Sequence, residues 1–344
     1  KKQKTMAISY TPVDIRGEAI EPILEEVLFA NKTIADGYVT FNDNIKAGSI
    51  FTEAGIDVTA QLYTGAALSS AGSINITDRM ITPTKLEYKQ TFLPEALRSS
   101  RFNRTMAPGA WNIESSEFGS QVLAMVGPNV SQDAESIFWG GITAATKTAI
   151  AALTPGAGQG SMTAATQTAV AALTPGLVDG VFARVLYDLS DLGTYIKVTG
   201  TTVTQANIAA EMGKIFAAIP AENLNDMVSP TVIYCPRAWK QLCYNANNAV
   251  GAAQQMNFTI SGDDFTTSRV HYNGIELLFV PAPNNLMAYA QRKAAVSWNT
   301  DLLDDVNLFK VDKLVADGDY MFVRSIYTLA ANVGQASKGV LYGG

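Results

Sequence analysis

Residues 47–92 read AGSIFTEAGIDVTAQLYTGAALSSAGSINITDRMITPTKLEYKQTF and carry the strongest fold signal in the chain. Short segments rich in Ile, Val, Thr and Tyr are separated by glycines, which is typical of a β-hairpin. The return limb, residues 79–92, alternates apolar and charged residues in places, as in Leu86-Glu87-Tyr88-Lys89, so we expect one covered face and one polar face. Because a long two-stranded arm is only marginally stable alone, we infer that it lies on another surface.

The preceding residues, 1–47, are expected to form an N-terminal arm. After Asp14-Ile15-Arg16-Gly17, apolar residues recur at spacings of three and four from Ile20 to Leu28, which predicts a short amphipathic helix. Acidic residues crowd the first half of this helix and suit the positive end of a helix dipole. The apolar stripe of the helix needs a partner surface.

The longest helix of the first half is predicted over residues 114–141. Apolar residues from Phe118 to Phe138 supply one side of the helix, and acidic residues supply the other. Gly127-Pro128 lies in the middle of the segment. Because proline removes an internal hydrogen bond and clashes with the preceding turn, we expect either two helices or one bent helix.

An internal repeat follows this helix. Residues 142–156 read ITAATKTAIAALTPG and residues 162–176 read MTAATQTAVAALTPG, so the copies differ only at the first, sixth and ninth positions. Two copies are too few for a solenoid, which needs three or more stacking units. Surface loops tolerate added length at small entropic cost. We therefore expect an exposed insertion over residues 142–176, in which the second copy is dispensable.

Residues 177–273 are expected to form an α+β segment. It contains a helix from about Ile208 to Ile219, a buried strand at Thr231–Tyr234 and a helix that starts with Pro236. Further strands are predicted at Ile275–Val280, Met287–Ala290 and Met321–Tyr327. Because helices occur among strands without regular alternation, the predicted fold class is α+β rather than doubly wound α/β.

The composition excludes several classes of protein. The chain has 344 residues, of which 16% are charged and 47% are hydrophobic. An average globular chain is about one quarter charged, so we expect part of the surface to be covered by something other than water. The formal net charge of −6 argues against a protein that clamps nucleic acid, because such a domain clusters Lys and Arg on one face.

Few residues are candidates for catalysis or metal binding. His271 is the only imidazole in the sequence, and no Ser–His–Asp or Cys–His pattern is recognisable around it, so we interpret it as a turn-flanking or strand-edge side chain. Cys235 and Cys243 match neither a metal-ligand pair nor a redox pair and are interpreted as buried free thiols. The acidic pairs Asp263-Asp264 and Asp304-Asp305, the second close to Asp301, lack the pattern of a calcium loop and are interpreted as solvated turns.

Two other motifs have equally simple interpretations. Gly156–Gly160 resembles a phosphate-binding loop, but it lacks a preceding strand and the Gly-Lys-Ser/Thr ending, so we interpret it as a linker. Arg98, Arg101 and Arg104, which surround Phe102, either pair with carboxylates of a neighbour or touch nucleic acid. We therefore predict no catalytic, cofactor-binding or metal-ligating residues and no enzyme activity.

The sequence shows no signal for a membrane. No stretch approaches the roughly 18 consecutive apolar residues that a membrane-spanning helix needs. Residues 1–6, Lys-Lys-Gln-Lys-Thr-Met, are polar and are followed by no apolar core, so we expect no signal peptide.

In this order, the elements resemble those of a major capsid protein of a tailed double-stranded DNA bacteriophage, of the fold named after phage HK97. Phe92-Leu93-Pro94-Glu95-Ala96-Leu97-Arg98 resembles the entry into the peripheral domain of that family, and Val232-Ile233-Tyr234-Cys235-Pro236 resembles the central strand of its axial domain. The implied domains are an N-arm (1–47), an E-loop hairpin (48–92), a peripheral domain with a long spine helix (93–141), an axial domain (177–273) and a return to the peripheral sheet (274–344). The repeat at 142–176 is an insertion relative to this pattern.

The resemblance implies a structural subunit that assembles with itself as hexamers and pentamers. The resulting icosahedral shell would enclose packaged double-stranded phage DNA without sequence specificity. The implied location is the capsid of the virion, after assembly in the cytoplasm of the host bacterium. The implied partners are the portal, scaffold or protease proteins of the virion and a decoration protein, with no cofactor and no membrane. Some family members also crosslink a Lys of the E-loop to an Asn of a neighbour, and Lys85 and Lys89 lie in the matching segment.

Low charge agrees with this interpretation, because large permanent interfaces are poorer in charged residues than free surface. The nearest alternative is an encapsulin-type nanocompartment shell protein, which shares the fold and holds an enzyme instead of DNA. A secreted β-rich binding protein is a different class of function, suggested by the many Thr, Asn and Gly residues. Copurifying cargo separates the first alternative from a phage shell, and a signal peptide would favour the second.

Overall fold

The structure of the chain is a computed structural model. It describes residues 13–15, 32–46, 48–58, 72–92, 116–152, 164–173, 175–192, 196–225, 229–249, 258–262, 265, 268–282, 286–301, 308–313, 321–334 and 338–343. The amphipathic helix expected in the N-terminal arm lies outside these residues.

The elements of the first half are, in chain order, β1 (Val13–Ile15), α1 (Lys32–Ala35), β2 (Thr40–Asn42), β3 (Ser49–Val58), β4 (Gly72–Ile81), β5 (Thr84–Phe92), α2 (Ser116–Gly140), α3 (Ala144–Ala151), α4 (Ala164–Ala171) and α5 (Val181–Leu192). Those of the second half are β6 (Ile196–Thr199), α6 (Ile208–Ala218), α7 (Ala221–Leu224), β7 (Thr231–Pro236), α8 (Arg237–Ala249), β8 (Phe258–Ser261), β9 (Arg269–Tyr272), β10 (Ile275–Val280), β11 (Met287–Arg292), a 3₁₀ turn (Lys293–Ala295), β12 (Val296–Asn299), β13 (Leu308–Lys313), β14 (Met321–Val333) and β15 (Val340–Gly343). Helices and strands do not alternate regularly, which confirms the predicted α+β class.

A six-stranded sheet is built around the long strand β14. Its order is β1–β13–β14–β12–β2, and β5 pairs with β14 as well. β14 runs antiparallel to β5, β12 and β13. Its buried residues, among them Val323, Tyr327 and Leu329, are of the β-branched, aromatic and apolar types that fit a covered strand.

A seven-stranded sheet has the order β6–β15–β11–β7–β10–β9–β8. All six residues of its central strand β7 are buried, as expected for a strand that is covered on both faces. Val232 and Tyr234 pack into the core that contains α2 and α5, whereas Ile233 and Cys235 pack into a second core with α6 and α8. Strand β7 therefore lies between the two hydrophobic cores.

The helix predicted over 114–141 is one continuous helix, α2, that includes Pro128. Pro128 is exposed, while Val130, Ala134 and Phe138, at spacings of four, are buried. Phe138 stacks on Trp298 of β12 with ring centroids 4.5 Å apart. The burial of this apolar stripe on the six-stranded sheet stabilises a single helix despite the proline.

The segment expected to be one hairpin over 48–92 is divided at Thr82-Pro83. Strands β3 and β4 form a separate two-stranded sheet, whereas β5 belongs to the six-stranded sheet. Along β5, Leu86 is buried while Glu87 and Lys89 are exposed, which confirms the predicted alternation. Its partner strand β14 lies more than 200 residues later in the chain.

The repeat lies at the surface, with many of its described residues exposed, but it is not a loose loop. Each copy contains a helix, α3 or α4, and α3 packs against both α4 and α5. Ile142, Ile150 and Val170 are buried in the main core. The repeat is therefore part of the packed structure, in which α3 packs on α5 and α4 packs on α3.

The two ends of the repeat lie side by side, and this close contact between them is called the neck. Gly176 N donates to Ile142 O at 2.6 Å, and Gly180 N donates to Gly141 O at 2.9 Å. A Cβ atom on Gly141 would lie 2.5 Å from Val178 O, and one on Gly180 would lie 2.5 Å from Phe138 O. Only glycine permits this approach of the two backbones.

The two sheets do not separate at residue 273, where the sequence suggested a domain boundary. Strands β10, β11 and β15 follow this residue and still pair within the seven-stranded sheet. Helix α5, which was expected to lie in the axial segment, packs on α2 and β14 instead. The chain therefore crosses between the sheets several times.

Among the described helices, none combines the length and apolar character needed to span a membrane.

Candidate assembly surface

Strands β3 and β4 form a two-stranded hairpin with a regular ladder. Strands β3 and β4 pair antiparallel from Ser49–Ile81 to Val58–Gly72. Within the described part of the chain, neither strand pairs with a strand of another sheet. A two-stranded hairpin without a covering layer is marginally stable in water. This hairpin therefore needs a surface to lie on.

One face of the hairpin carries large apolar side chains that are open to solvent. Ile50 and Met80 are directly opposite each other in the ladder and are 67% and 68% exposed. Ile76 is 66% exposed and lies on the same face as Met80, because residues four apart along a strand share a face. The Thr52–Asp78 pair, which is also exposed, lies in the same row between Met80 and Ile76. Large apolar side chains exposed together on one face are typical of an interaction site, and here they flank a single acidic residue.

The base of the hairpin is held in place by backbone hydrogen bonds. Ser49 N and Ser49 Oγ donate to Lys46 O at 3.0 and 2.8 Å, and Ile45 N donates to Thr300 O at 3.0 Å. Gly48 adopts a φ of +83°, in the left-handed region that favours glycine. At the other strand, Ile81 enters the protein interior. The hairpin is thus anchored at its base while its apolar face stays uncovered.

Lys85 and Lys89 lie outside this hairpin. Both are exposed residues of β5, opposite Thr328 and Arg324 of β14. The ammonium group of Lys89 lies 5.5 Å from the centroid of the Phe322 ring. The crosslinking chemistry suggested by the resemblance would therefore have to start from the six-stranded sheet and not from β3 or β4.

His271 lies on β9, directly before the turn at Asn273-Gly274. Its backbone neighbours across the ladder are Glu276 and Thr259. The carboxylate of Glu276 forms ion pairs with Arg269 at 3.5 Å and Lys293 at 3.4 Å. These contacts connect charges between strands and do not assemble a nucleophile with a base.

Cys235 and Cys243 are free and buried, which confirms the interpretation from the sequence. Burial raises the pKa of the Cys235 thiol well above its usual range, and the neighbouring Cys243 adds to the effect. Burial also raises the pKa of Cys243 to about 12. Both groups therefore stay protonated and unreactive at neutral pH.

The remaining candidates from the sequence lie outside the described residues. These are the arginine cluster around Phe102, the glycines at 156–160, and the acidic residues 263–264 and 304–305. In the part of the chain that the structure does describe, no three His, Cys, Asp or Glu side chains come together in a way that could hold a metal ion.

Glu211 on α6 is a buried carboxylate that no sequence motif indicates. Its oxygens accept hydrogen bonds from Lys214 Nζ at 2.8 and 2.9 Å, from Tyr342 Oη at 2.8 Å and from Thr201 Oγ1 at 3.0 Å. Burial favours a higher pKa for Glu211, but these hydrogen bonds outweigh burial and leave the pKa below its ordinary value. Burial, together with the hydrogen bond to Glu211 and the charge of that carboxylate, raises the pKa of Tyr342. This cluster fastens the last strand, β15, to α6.

A second buried carboxylate, Glu135 on α2, accepts from two other segments. Thr33 Oγ1 donates to Glu135 Oε1 at 2.7 Å, and Arg237 NH2 lies 2.6 Å from Glu135 Oε2. The sequence contained no signal for this site, since its three residues are about 100 positions apart from one to the next.

The arrangement of helices and strands is similar to that of proteins of known structure. The chain matches no protein-family profile and no curated protein sequence. Its structure is similar to a chain of the satellite phage P4 procapsid that includes the size determination (Sid) protein, with 9% identity, a TM-score of 0.55 and coverage of 94% of this chain and 98% of that one. It is also similar to a chain of the capsid of the native GTA particle, with 10% identity, a TM-score of 0.51 and coverage of 99% and 94%. Since both likenesses extend over nearly the whole of each chain, this protein has an α+β capsid-protein fold.

Proposed function

We propose that this chain is a structural shell subunit that assembles with copies of itself, as hexamers and pentamers, into an icosahedral capsid. The observation that carries the proposal is the uncovered apolar face of the β3–β4 hairpin, formed by Ile50, Ile76 and Met80. Its occupant is a second copy of the chain. In a closed shell every subunit is surrounded by other copies, so the one hairpin of each subunit has a neighbour that can cover it throughout the assembly.

The fold supports this proposal because both similar structures are described as a procapsid or a capsid. We propose that the six-stranded sheet with α2 forms the peripheral part of the subunit and that the seven-stranded sheet forms the axial part. We further propose that the shell encloses packaged double-stranded phage DNA, is assembled in the host cytoplasm and receives portal, scaffold or protease proteins, and that the subunit catalyses no reaction.

The test is negative-stain microscopy of the purified protein together with light scattering. Shells or capsomer rings are expected for the parent protein, and a monodisperse monomer under all assembly conditions would overturn the proposal. The contents of the shells discriminate further, because nucleic acid supports a phage capsid, whereas a copurifying enzyme would indicate an enzyme-containing compartment.

Two variants test the hairpin face itself. Ile50→Asp combined with Met80→Asp places two charges on a surface that is dry in the assembly, which costs several kcal/mol unless the charges are paired. Both side chains are exposed in the subunit, so no core packing is lost. Repulsion between the two opposite carboxylates should lower the unfolding free energy by no more than about 1 kcal/mol. Loss of shells is expected for this variant, while Ile50→Val with Met80→Leu should assemble like the parent. Normal shells from the Asp variant would exclude this face as the interface.

A further inference from the structure

The segment that leads into the hairpin, residues 32–46, is called the strap. It is hydrogen bonded to α2 at a buried site, which is called the joint. Near the start of the strap, Thr33 is fully buried; its hydroxyl donates to Glu135 Oε1 at 2.7 Å and accepts from Trp139 Nε1 at 2.8 Å. Glu135 and Trp139 are one turn apart on α2 and therefore face the strap together.

The same carboxylate reaches the seven-stranded sheet. Glu135 Oε2 lies 2.6 Å from the guanidinium of Arg237, the first residue of α8 and the one that follows β7. The Glu135 side chain is almost completely buried, whereas that of Arg237 is 46% exposed. A helix dipole disfavours a cation at the first residue of a helix, so the ion pair, and not the stability of α8, accounts for Arg237.

The strap is also held at a second point of the joint. Tyr234, three residues before Arg237, donates its hydroxyl to Tyr38 O at 2.8 Å. The ring of Tyr234 lies 4.8 Å from that of Trp139. The strap therefore runs between α2 on one side and the end of β7 on the other, and it is hydrogen bonded to both.

From this joint, the strap continues to the hairpin along a hydrogen-bonded path. Its strand β2 pairs with β12, and Asn42 Nδ2 donates to Asn299 Oδ1 at 3.0 Å. The Ile45–Thr300 and Ser49–Lys46 hydrogen bonds then lead into β3. The φ angles of Asn44 and Gly48, +55° and +83°, give the chain its bends at the base of the hairpin. Coupling between distant sites is carried by contiguous hydrogen bonds and rigid elements of this type, so this path is the physical connection between the joint and the hairpin.

We propose that the Glu135–Arg237 ion pair is a conformational tie that sets the direction of the β3–β4 hairpin through the strap. The pair holds α2 and the start of α8 against the strap, so a change in the relative position of the two sheets moves the base of the hairpin. The proposal rests on the proposed function, because the hairpin is the surface offered to the next subunit. It makes the orientation of that surface depend on two residues that lie outside the hairpin.

The test is a distance measurement between spin labels at Ile50→Cys on the hairpin and Asn248→Cys on α8. Both positions are exposed, and the native cysteines are buried. Labelled chains are diluted in an excess of unlabelled chains, so the distance is intramolecular whether or not shells form. A narrow distribution is expected for the parent, and a shift or broadening of several Å is expected for Glu135→Gln and Arg237→Gln.

Lys338→Gln is the matched control. It removes an ion pair with Glu222 at 2.7 Å near the seven-stranded sheet and should leave the distribution unchanged. If Glu135→Gln fails to fold, the distance can still be measured in Arg237→Gln, because the side chain of Arg237 is half-exposed in the parent. An unchanged distribution in a folded Arg237→Gln variant would overturn the tie. Failure of the parent to assemble would overturn the shell function. It would not change the distance result, because that distance is measured within one chain.

Discussion

Lys147 and Gln167 occupy the same position in the two copies of the repeat, and each binds the end of the helix formed by the other copy. Lys147 Nζ donates to Leu173 O, just past α4, at 2.6 Å. Gln167 Nε2 donates to Ile150 O and Ala151 O, in the last turn of α3, at 3.1 and 2.9 Å. Because the last carbonyls of a helix have no partner within the helix, each copy supplies what the other lacks.

This reciprocity predicts that both side chains contribute to stability. Lys147→Met and Gln167→Leu should each lower the free energy of unfolding by about 1 to 2 kcal/mol, since each removes hydrogen bonds to helix carbonyls. Thr148→Ala is the control, because Thr148 is exposed and bonds only within its own helix, to Ala144 O. Urea unfolding of the unassembled subunit measures all three. Equal stability of the Lys147 and Gln167 variants and the parent would contradict reciprocal capping.

Removal of one copy should be far more damaging than the sequence suggests. Deletion of residues 157–176 removes Val170 from the main core, Gln167 from the end of α3 and the Gly176–Ile142 hydrogen bond at the neck. The lost core side chain and the exposure of its neighbours should together cost more than about 3 kcal/mol. The measurement is urea unfolding, with expression and solubility as the first readout. A deletion variant within about 1 kcal/mol of the parent would restore the expectation that the second copy is dispensable.

The packing of the repeat could not be predicted from local pattern. Each copy offers only two large apolar residues before its Leu-Thr-Pro-Gly end, Ile142 and Ile150 in the first, which is too few to show a helical period. Their burial depends on α5 and on the close backbone contact at Gly141 and Gly180. Contacts between separated segments of this kind leave no trace in the spacing of residues.

The hairpin illustrates what local pattern can and cannot predict. Alternation at Leu86–Lys89 correctly indicates a half-buried strand, because the period of two follows directly from strand geometry. The pairing of that strand with β14, and the division at Thr82-Pro83, depend on residues far away in sequence. The exposure of Ile50 and Met80 likewise becomes visible only when the register places them opposite each other and the rest of the chain leaves them uncovered.

The two cysteines should be inert in the native protein. Both are buried, and burial raises the pKa of each thiol, so neither has the thiolate that reacts with alkylating reagents. Iodoacetamide at pH 8 should add no mass to the native subunit and two adducts after unfolding in urea. The Ile50→Cys variant is the control and should gain one adduct without denaturant. Rapid native labelling of Cys243 would show that α8 opens readily.

Gly200 should tolerate no side chain. A Cβ atom at this position would overlap Cζ and Oη of Tyr342, a buried ring whose hydroxyl is held by Glu211 and Thr201 O. Gly200→Ala should therefore cost about 1 to 3 kcal/mol through overpacking. Gly176→Ala is the control, because its Cβ would lie 3.7 Å from Ile142 O, an ordinary contact. In the double variant with Tyr342→Ala, the cost of Gly200→Ala should vanish, and an additive result would exclude this clash.

Glu211 predicts how stability depends on pH. Its pKa in the folded protein is lowered from 4.5, so in acid the unfolded chain binds the proton more readily than the folded one, and the stability that Glu211 contributes is lost as pH falls below about 4.5 through the folded pKa. At pH 7, Glu211→Gln should cost about 1 to 3 kcal/mol, because the variant loses charge-assisted hydrogen bonds. The difference in unfolding free energy between the parent and this variant should then shrink steadily from pH 5 to pH 3. Tyr342→Phe, which removes one donor to the carboxylate, should show a shallower pH dependence than the parent. Parallel curves for the parent and Glu211→Gln across this range would mean that the Lys214, Tyr342 and Thr201 contacts do not hold the carboxylate in its charged form.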